Sequence, residues 1–433
     1  TADQSHAYTS EQKAYDAGMN DLFPLDTGKG LAGGAGAFGT KGQVMGYYDG
    51  NTVTALWTYA QNFAMNDNSY SDTYGPSTPG ALEAVSGQTN GLQLLASSRS
   101  SYYVADGQGG KTLIGDVDPG SDICSSVTDQ GLLQAKNIGD LLNSGSITWG
   151  SFMGGFDLTA KNTNNTTGCT RSTYSATVNQ TVNDYVAHHA WFQYFTSTSN
   201  PTHARPSSAA AIGHSFESNG STPEPANHEY DIDDFFAAAD TGNLPAVSYL
   251  KAPAYQDGHA GYSDPLDEQQ FVVNVINHLQ LLASWHDTAV IVAYDDSDGW
   301  YDHAYAAPTS ASFDPTADQV NGAGTCGTGT APDGISGLPV NGRCGPGVRL
   351  PFLVISPWAR KNFVSHTRTT QASVVKFIED NWLRGERLGG GSFDATAGGI
   401  MDMFDFRSAP DMHPLFLDQS TGEPLYNQIK FLN

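Results

Sequence analysis

Basic side chains are scarce in this chain: 20 lysines and arginines stand against 45 aspartates and glutamates, a formal charge of −25. A surface so charged repels nucleic acid and anionic membranes, which excludes both as general partners. Long apolar runs are missing too: no stretch approaches membrane-spanning length, and nothing at Thr1 resembles a signal peptide, so the chain reads as a soluble, already processed product. There is no collagen-like period, no internal repeat, and no linker long enough to divide 433 residues. One large α/β domain over residues 1–433 is expected, with loop insertions at about 100–180 and 305–345.

Cysteine is nearly as sparse. Cys124, Cys169, Cys326 and Cys344 show no CxxC spacing, and each lies in a Gly/Ser/Thr/Asn-rich stretch that reads as a surface loop. The simplest of the three connectivities open to four cysteines joins Cys124 to Cys169 and Cys326 to Cys344. Paired cysteines place the chain in an oxidising compartment, outside the cell or in the periplasm. The glycine-rich run from Lys29 to Gly39 lacks the GK[ST] ending of a phosphate-binding Walker loop and reads as plain loop.

What is there centres on Thr288 to His303. Five small or β-branched apolar residues read as a fully buried strand, which then turns acidic at Asp295, Asp296 and Asp298. Ligands in open α/β sheets sit beyond the carboxyl ends of strands. Two adjacent carboxylates there are either a solvated turn or a hard-metal or proton-transfer site. Ahead of them, Asn51 is expected to cap a helix whose core face carries Val53, Leu56, Trp57, Ala60 and Phe63. In Tyr74-Gly-Pro-Ser77-Thr78-Pro79-Gly80, Pro79 suits the first turn of a helix. The residues alone leave Ser77 as an ordinary capping hydroxyl, worth about 1 kcal/mol, or as a hydroxyl placed where free amides would hold a phosphoryl group.

Strands are predicted near 146–153, at 244–250 and at 350–356, and helices from Asp231, from Asp264-Pro265 to about Trp285, and over 372–382. The long helix should bury Phe271, Val272, Val275, Ile276, Leu279 and Leu282, making 244–294 a βαβ unit. His188 and His189 are adjacent, so at most one would point into a given pocket, and no helical HxxxH zinc pair is formed. The loop from Lys251 to Ser263 carries Lys251, Asp257 and His259 out of a strand, as a site edge would.

Taken in order, Val44-Met-Gly-Tyr-Tyr-Asp-Gly, Gly75-Pro-Ser-Thr-Pro-Gly-Ala-Leu, His188-His189-x-x-Phe-Gln-Tyr-Phe, Asn243 to Tyr262, Tyr294-Asp-Asp-Ser-Asp-Gly-Trp-Tyr-Asp-His and Ile355-Ser-Pro-Trp resemble the bacterial phosphoesterase family. That family contains phospholipases C and the acid phosphatase A type, within the alkaline-phosphatase-like superfamily. The resemblance runs from Asp3-Gln-Ser-His6 through Trp382. It implies a three-layer α/β/α sandwich with a mostly parallel central sheet, Ser77 as the nucleophile, and Asp295, Asp296 and Ser77 as ligands of one divalent metal ion. It further implies His6, His188, His189 and His259 as groups that contact phosphate. Attack by Ser77 would give a phosphoserine that water then hydrolyses.

Members of the family open with a strand followed by a Glu-Asn-x-x-Phe-Asp motif whose Glu and Asn complete the metal site. That motif is not found here, so the N-terminal strand is expected to be absent from this chain, or carried by a segment not in it. The forms of the Asp295 and His188 blocks are similar to the phosphatase branch. The expected activity is therefore hydrolysis of small phosphate monoesters, with phospholipase C action on phospholipid head groups as the alternative. A catalytically silent phosphate-binding fragment is the alternative of another class.

Overall fold

In the computed structural model, which describes residues 2–29 and 40–425, seven short strands and six helices place the acidic turn. The strands are β1 (Ala64–Asn66), β2 (Trp149–Met153), β3 (Glu229–Asp231), β4 (Val247–Lys251), β5 (Val290–Ala293), β6 (Phe352–Ile355) and β7 (Phe363–Ser365). The helices are α1 (Tyr8–Tyr15), α2 (Thr54–Asn62), α3 (Ser77–Ser86), α4 (Ile232–Asp240), α5 (Pro265–Gln280) and α6 (Ala372–Trp382). Apart from Lys29, the glycine-rich run read as loop lies outside the described residues.

The architecture is mixed α/β, but the paired strands do not form one mostly parallel sheet. β3, β2 and β4 make a parallel sheet with Tyr249 opposite Ser151 and Glu229 opposite Ser151 on the other side. β5, β6, β1 and β7 make a second sheet, in which β6 runs antiparallel to both β5 and β1 while β7 is parallel to β1. β4 and β5, expected as neighbours of a βαβ unit, each pair on one edge only, and among the described residues no strand pairs with either of the other edges. That explains why β5, read as fully buried, is half-buried from Val290 to Val292 and exposed at Ala293: a strand with one neighbour shows its other edge to solvent.

α5 holds the two sheets to one core. Asp264 caps it by accepting from the Leu266 and Asp267 amides, and Pro265 fits the first turn, where no amide is needed. Its buried stripe is Val273, Val275, Ile276 and Leu279, packed with Phe152, Tyr230, Leu353 and Ile355, while Phe271, Val272 and Leu282 are only half-buried against the same cluster. α4 starts in a reciprocal cap between Asp231 and Asp234. α6 lays Val375 and Ile378 against Leu82 and Val85 of α3, fixing the helix that begins with Ser77.

Two expectations about exposure fail. α2 buries Ala55, Tyr59 and Ala60, while Trp57 is 46% exposed and Asn51 does not cap it, because the helix turns the face that carries Tyr59 to the core. The two expected disulfides are both present, but Cys326 and Cys344 are fully buried beside Tyr8, Tyr15 and Tyr74 and do not lie in a surface loop. Their polar flanking residues misled the reading: the stretch around them packs inward on α1.

Candidate active site

Asp295 and Asp296 follow β5 directly, and the chain turns sharply after them at Asp298 and Gly299, both with positive φ. Gly299 is required there, since a Cβ would stand 2.5 Å from the Ser5 carbonyl oxygen. Through that contact the N-terminal segment lies on the turn and brings His6 to it. On the other side α3 approaches so closely that a Cβ on Gly80 would meet the Asp295 carbonyl oxygen at 1.8 Å. Two glycines thus let three separate chain segments converge on one acidic turn.

Ser77 opens α3, is 3% exposed, and donates from Oγ to Asp296 Oδ2 at 2.6 Å. The other oxygen of Asp296 accepts the Asp298 amide at 2.6 Å, which fixes the carboxylate toward the serine. Asp295 Oδ2 accepts from Lys251 Nζ at 2.9 Å. Burial opposes charge on both members of that pair, yet Lys251 holds the Asp295 carboxyl below its ordinary range, and Asp295, Asp257 and Asp296 raise the lysine. Ser77 and Asp296 thus meet directly, while the neighbouring Asp295 carboxylate is turned to Lys251.

The four histidines separate into two pairs. The rings of His188 and His189 meet edge to face at 4.5 Å, with His188 Nδ1 3.7 Å from Asp118 and His189 Nδ1 3.7 Å from Asp257. His189 is 2% exposed and its Nε2 has no hydrogen-bond partner. Burial, then Lys251, His188, His259 and His6, push its pKa well below the ordinary value, so the ring is neutral. His188 is shifted the other way: burial opposes its charge, but Asp118 and Asp116 outweigh that. His6 and His259 lie 5.8 Å apart between ring centres, His259 stacked on Tyr262. Burial resists charging His6, and Asp296, Asp3 and Asp298 overcome it, raising its pKa well above the ordinary range.

Four acids around this centre were not among the expected site residues. Asp116 accepts the Thr78 amide at 3.0 Å, Asp118 faces His188, and Asp298 faces His259. Glu11 on α1 accepts the Gly75 amide at 2.9 Å and the Ser297 hydroxyl at 2.9 Å, and burial, helped by Asp296, raises its pKa to about 8. Asp298 lay within the acidic turn and was legible there. Glu11 and Asp116 carry no local signal, since each acts across a long sequence separation. Among the described residues Lys251 is the only lysine bonded to these acids, an excess of carboxylate of the kind that a divalent cation offsets.

A sequence model described as Phosphoesterase family matches residues 1–383. Hemolytic phospholipase C of Pseudomonas aeruginosa is 33% identical over 169 residues, covering 39% of this chain and 22% of that protein. Non-hemolytic phospholipase C of the same organism is 31% identical over 148 residues, 32% of this chain and 20% of its own length. Phospholipase C B of Mycobacterium tuberculosis is 27% identical over 194 residues, 41% of this chain and 33% of its own. The chain thus spans between a fifth and a third of the curated relatives it matches.

Proposed function

The chain belongs to the Phosphoesterase family, and from that premise we propose that it hydrolyses phosphoric esters, with phosphodiesters of the phospholipid type as its substrates. The observation that carries this reading is the Ser77 hydroxyl in the first turn of a helix, donating at 2.6 Å to a carboxylate that a backbone amide holds in place. The names of the relatives favour the phospholipase C alternative over the acid phosphatase that the motif forms suggested. The motifs around Ser77, Lys251 and Asp295 would serve either reaction and so do not discriminate the leaving group, and Ile355 to Trp358 lies at the other end of β5, where Ser356 bonds the Thr288 carbonyl oxygen.

In this reading Ser77 attacks phosphorus, and Asp296 takes the hydroxyl proton along the existing hydrogen bond. Lys251 keeps Asp295 ionised. The unpartnered Nε2 of neutral His189 and the rings of His6, His188 and His259 face the phosphoryl oxygens and the leaving group, and His6, held protonated, donates. A divalent ion held by Asp295, Asp296 and Ser77 would, when bound, acidify the serine and neutralise a phosphate oxygen. Two disulfides support an oxidising compartment, secreted or periplasmic.

The test compares turnover of a chromogenic phosphocholine diester with that of a chromogenic phosphate monoester, for the parent and Ser77→Ala. Diester turnover in the parent, lost by orders of magnitude in the variant, is the expected result. Preference for the monoester would restore the phosphatase reading. Phosphate binding without turnover of either ester would leave a silent binding protein, and turnover untouched by Ser77→Ala would remove Ser77 from the chemistry.

A further inference from the structure

We propose that Glu11 is a positioning residue for the reaction proposed above: from α1 it clamps the turn that leads into Ser77 to the turn that carries Asp296. Its side chain is fully buried, and each carboxyl oxygen takes a different segment. Oε2 accepts the Gly75 amide at 2.9 Å, just ahead of Ser77, and Oε1 accepts the hydroxyl of Ser297, the residue after Asp296, at 2.9 Å. Ser297 Oγ in turn accepts the Gly299 amide at 3.1 Å, so the clamp extends to the corner of the acidic turn. The bond of 2.6 Å from Ser77 Oγ to Asp296 joins the two segments that Glu11 holds, and its length depends on their spacing.

α1 is held by contacts that lie outside the site. Tyr8 Oη donates to Asp318 Oδ1 at 2.7 Å, Thr9 Oγ1 donates to the Ala317 carbonyl oxygen at 2.9 Å, and Gln12 Oε1 accepts the Gln319 amide at 2.7 Å. Tyr8 and Tyr15 also pack with Tyr74, Cys326 and Cys344 in one buried cluster. The helix therefore keeps its place independently of the two turns, and a side chain on it can fix both. Gly75 needs such a hold, because its φ of +128° is a glycine conformation and glycine has the weakest preference for any one backbone shape. Its amide is buried, so removing Glu11 would leave a donor without a partner. Both bonds form in either state of the acid: the carboxylate accepts from both groups, and the neutral carboxyl accepts from Gly75 and donates to Ser297 Oγ. A glutamine amide can do the same. An alanine makes neither bond.

The kinetic arm of the test rests on the proposed hydrolysis, and the exchange arm does not. Turnover of the two chromogenic esters and amide hydrogen exchange of the peptides containing Gly75 and Gly299 are measured on the whole chain, for the parent, Glu11→Ala and Glu11→Gln, with urea unfolding giving the folded fraction. Glu11→Ala should lower kcat about 100-fold per folded molecule while KM stays within about threefold, as a misplacement of about 1 Å does, and should speed exchange at both turns. Glu11→Gln should restore the protection and bring kcat to within about fivefold of the parent. If Glu11→Ala fails to fold, Ser297→Ala, which removes one of the two bonds and leaves α1 intact, takes its place with kcat expected to fall about tenfold. Turnover in the alanine variant equal to that of the parent would overturn the positioning role. So would Glu11→Gln as slow as Glu11→Ala, which would make Glu11 a proton carrier. Unchanged exchange at either turn would overturn the clamp. A parent inactive on both esters, with faster exchange at both turns in Glu11→Ala, would uphold the clamp while the hydrolase reading fell.

Discussion

Replacing Gly80 by alanine should disable the centre without touching any group in it. The added Cβ would stand 1.8 Å from the Asp295 carbonyl oxygen and 2.6 Å from its carbon, both backbone atoms that no rotamer change can move. To reach ordinary contact at 3.4 Å, α3 and the acidic turn must separate by about 1.6 Å. The same displacement stretches the 2.6 Å bond from Ser77 Oγ to Asp296 beyond hydrogen-bond range. Misplacing reacting groups by about 1 Å costs roughly 100-fold in rate, and overpacking of this kind costs about 1–3 kcal/mol. The assay is turnover of the better of the two chromogenic esters, with urea unfolding in parallel. Gly399→Ala, where a Cβ meets nothing within 4 Å, serves as the neutral control. Turnover in Gly80→Ala within about threefold of the parent would show that the turn yields without carrying Asp296 away, and would refute the reasoning.

Lys251→Met leaves Asp295 beside Asp257 and Asp296 with its hydrogen-bonded cation gone, and in chelated buffer it should cost about 3–5 kcal/mol in urea unfolding; a loss under about 1 kcal/mol would mean that the pair is not holding the turn. Glu379 is pushed up to about 8 by burial and by its bond with Asp394, so the folded chain keeps a proton there that the unfolded chain releases from about pH 4.5. Stability should therefore fall as pH rises through that window, and Glu379→Gln should flatten the fall in thermal melts; an unchanged slope would assign the dependence elsewhere. Cys326→Ser opens a loop of 18 residues and should lower stability by about 3 kcal/mol. Turnover per folded molecule should hold, because the Tyr74 amide that precedes Ser77 bonds the Cys344 carbonyl oxygen, which remains; its loss would tie the disulfide to the chemistry.

Local pattern determined much of this protein. The Asp264-Pro265 start of α5, the capping pair Asp231 and Asp234, the β-branched strand that delivers Asp295, and Ser77 in its Ser-Thr-Pro turn are all decided within a few residues by caps, periodicity and backbone restriction. So were both disulfide pairings, for which nearest neighbours in the chain proved to be partners. Only the tertiary structure decided which strands pair, because strand partners are chosen by packing and loop closure across many residues, and period-two patterns do not carry that information. It also decided the burial of Cys326 and Cys344, the exposure of Trp57, and the arrival of Glu11, Asp116 and Asp3 at the acidic turn. Electrostatic environment is a property of distances in space, and residues separated by hundreds of positions set it together. The sequence could name Ser77, Asp295, Asp296, Lys251 and the four histidines; the fold decided which of them meet, setting Ser77 on Asp296, Lys251 on Asp295 and the histidines in two pairs.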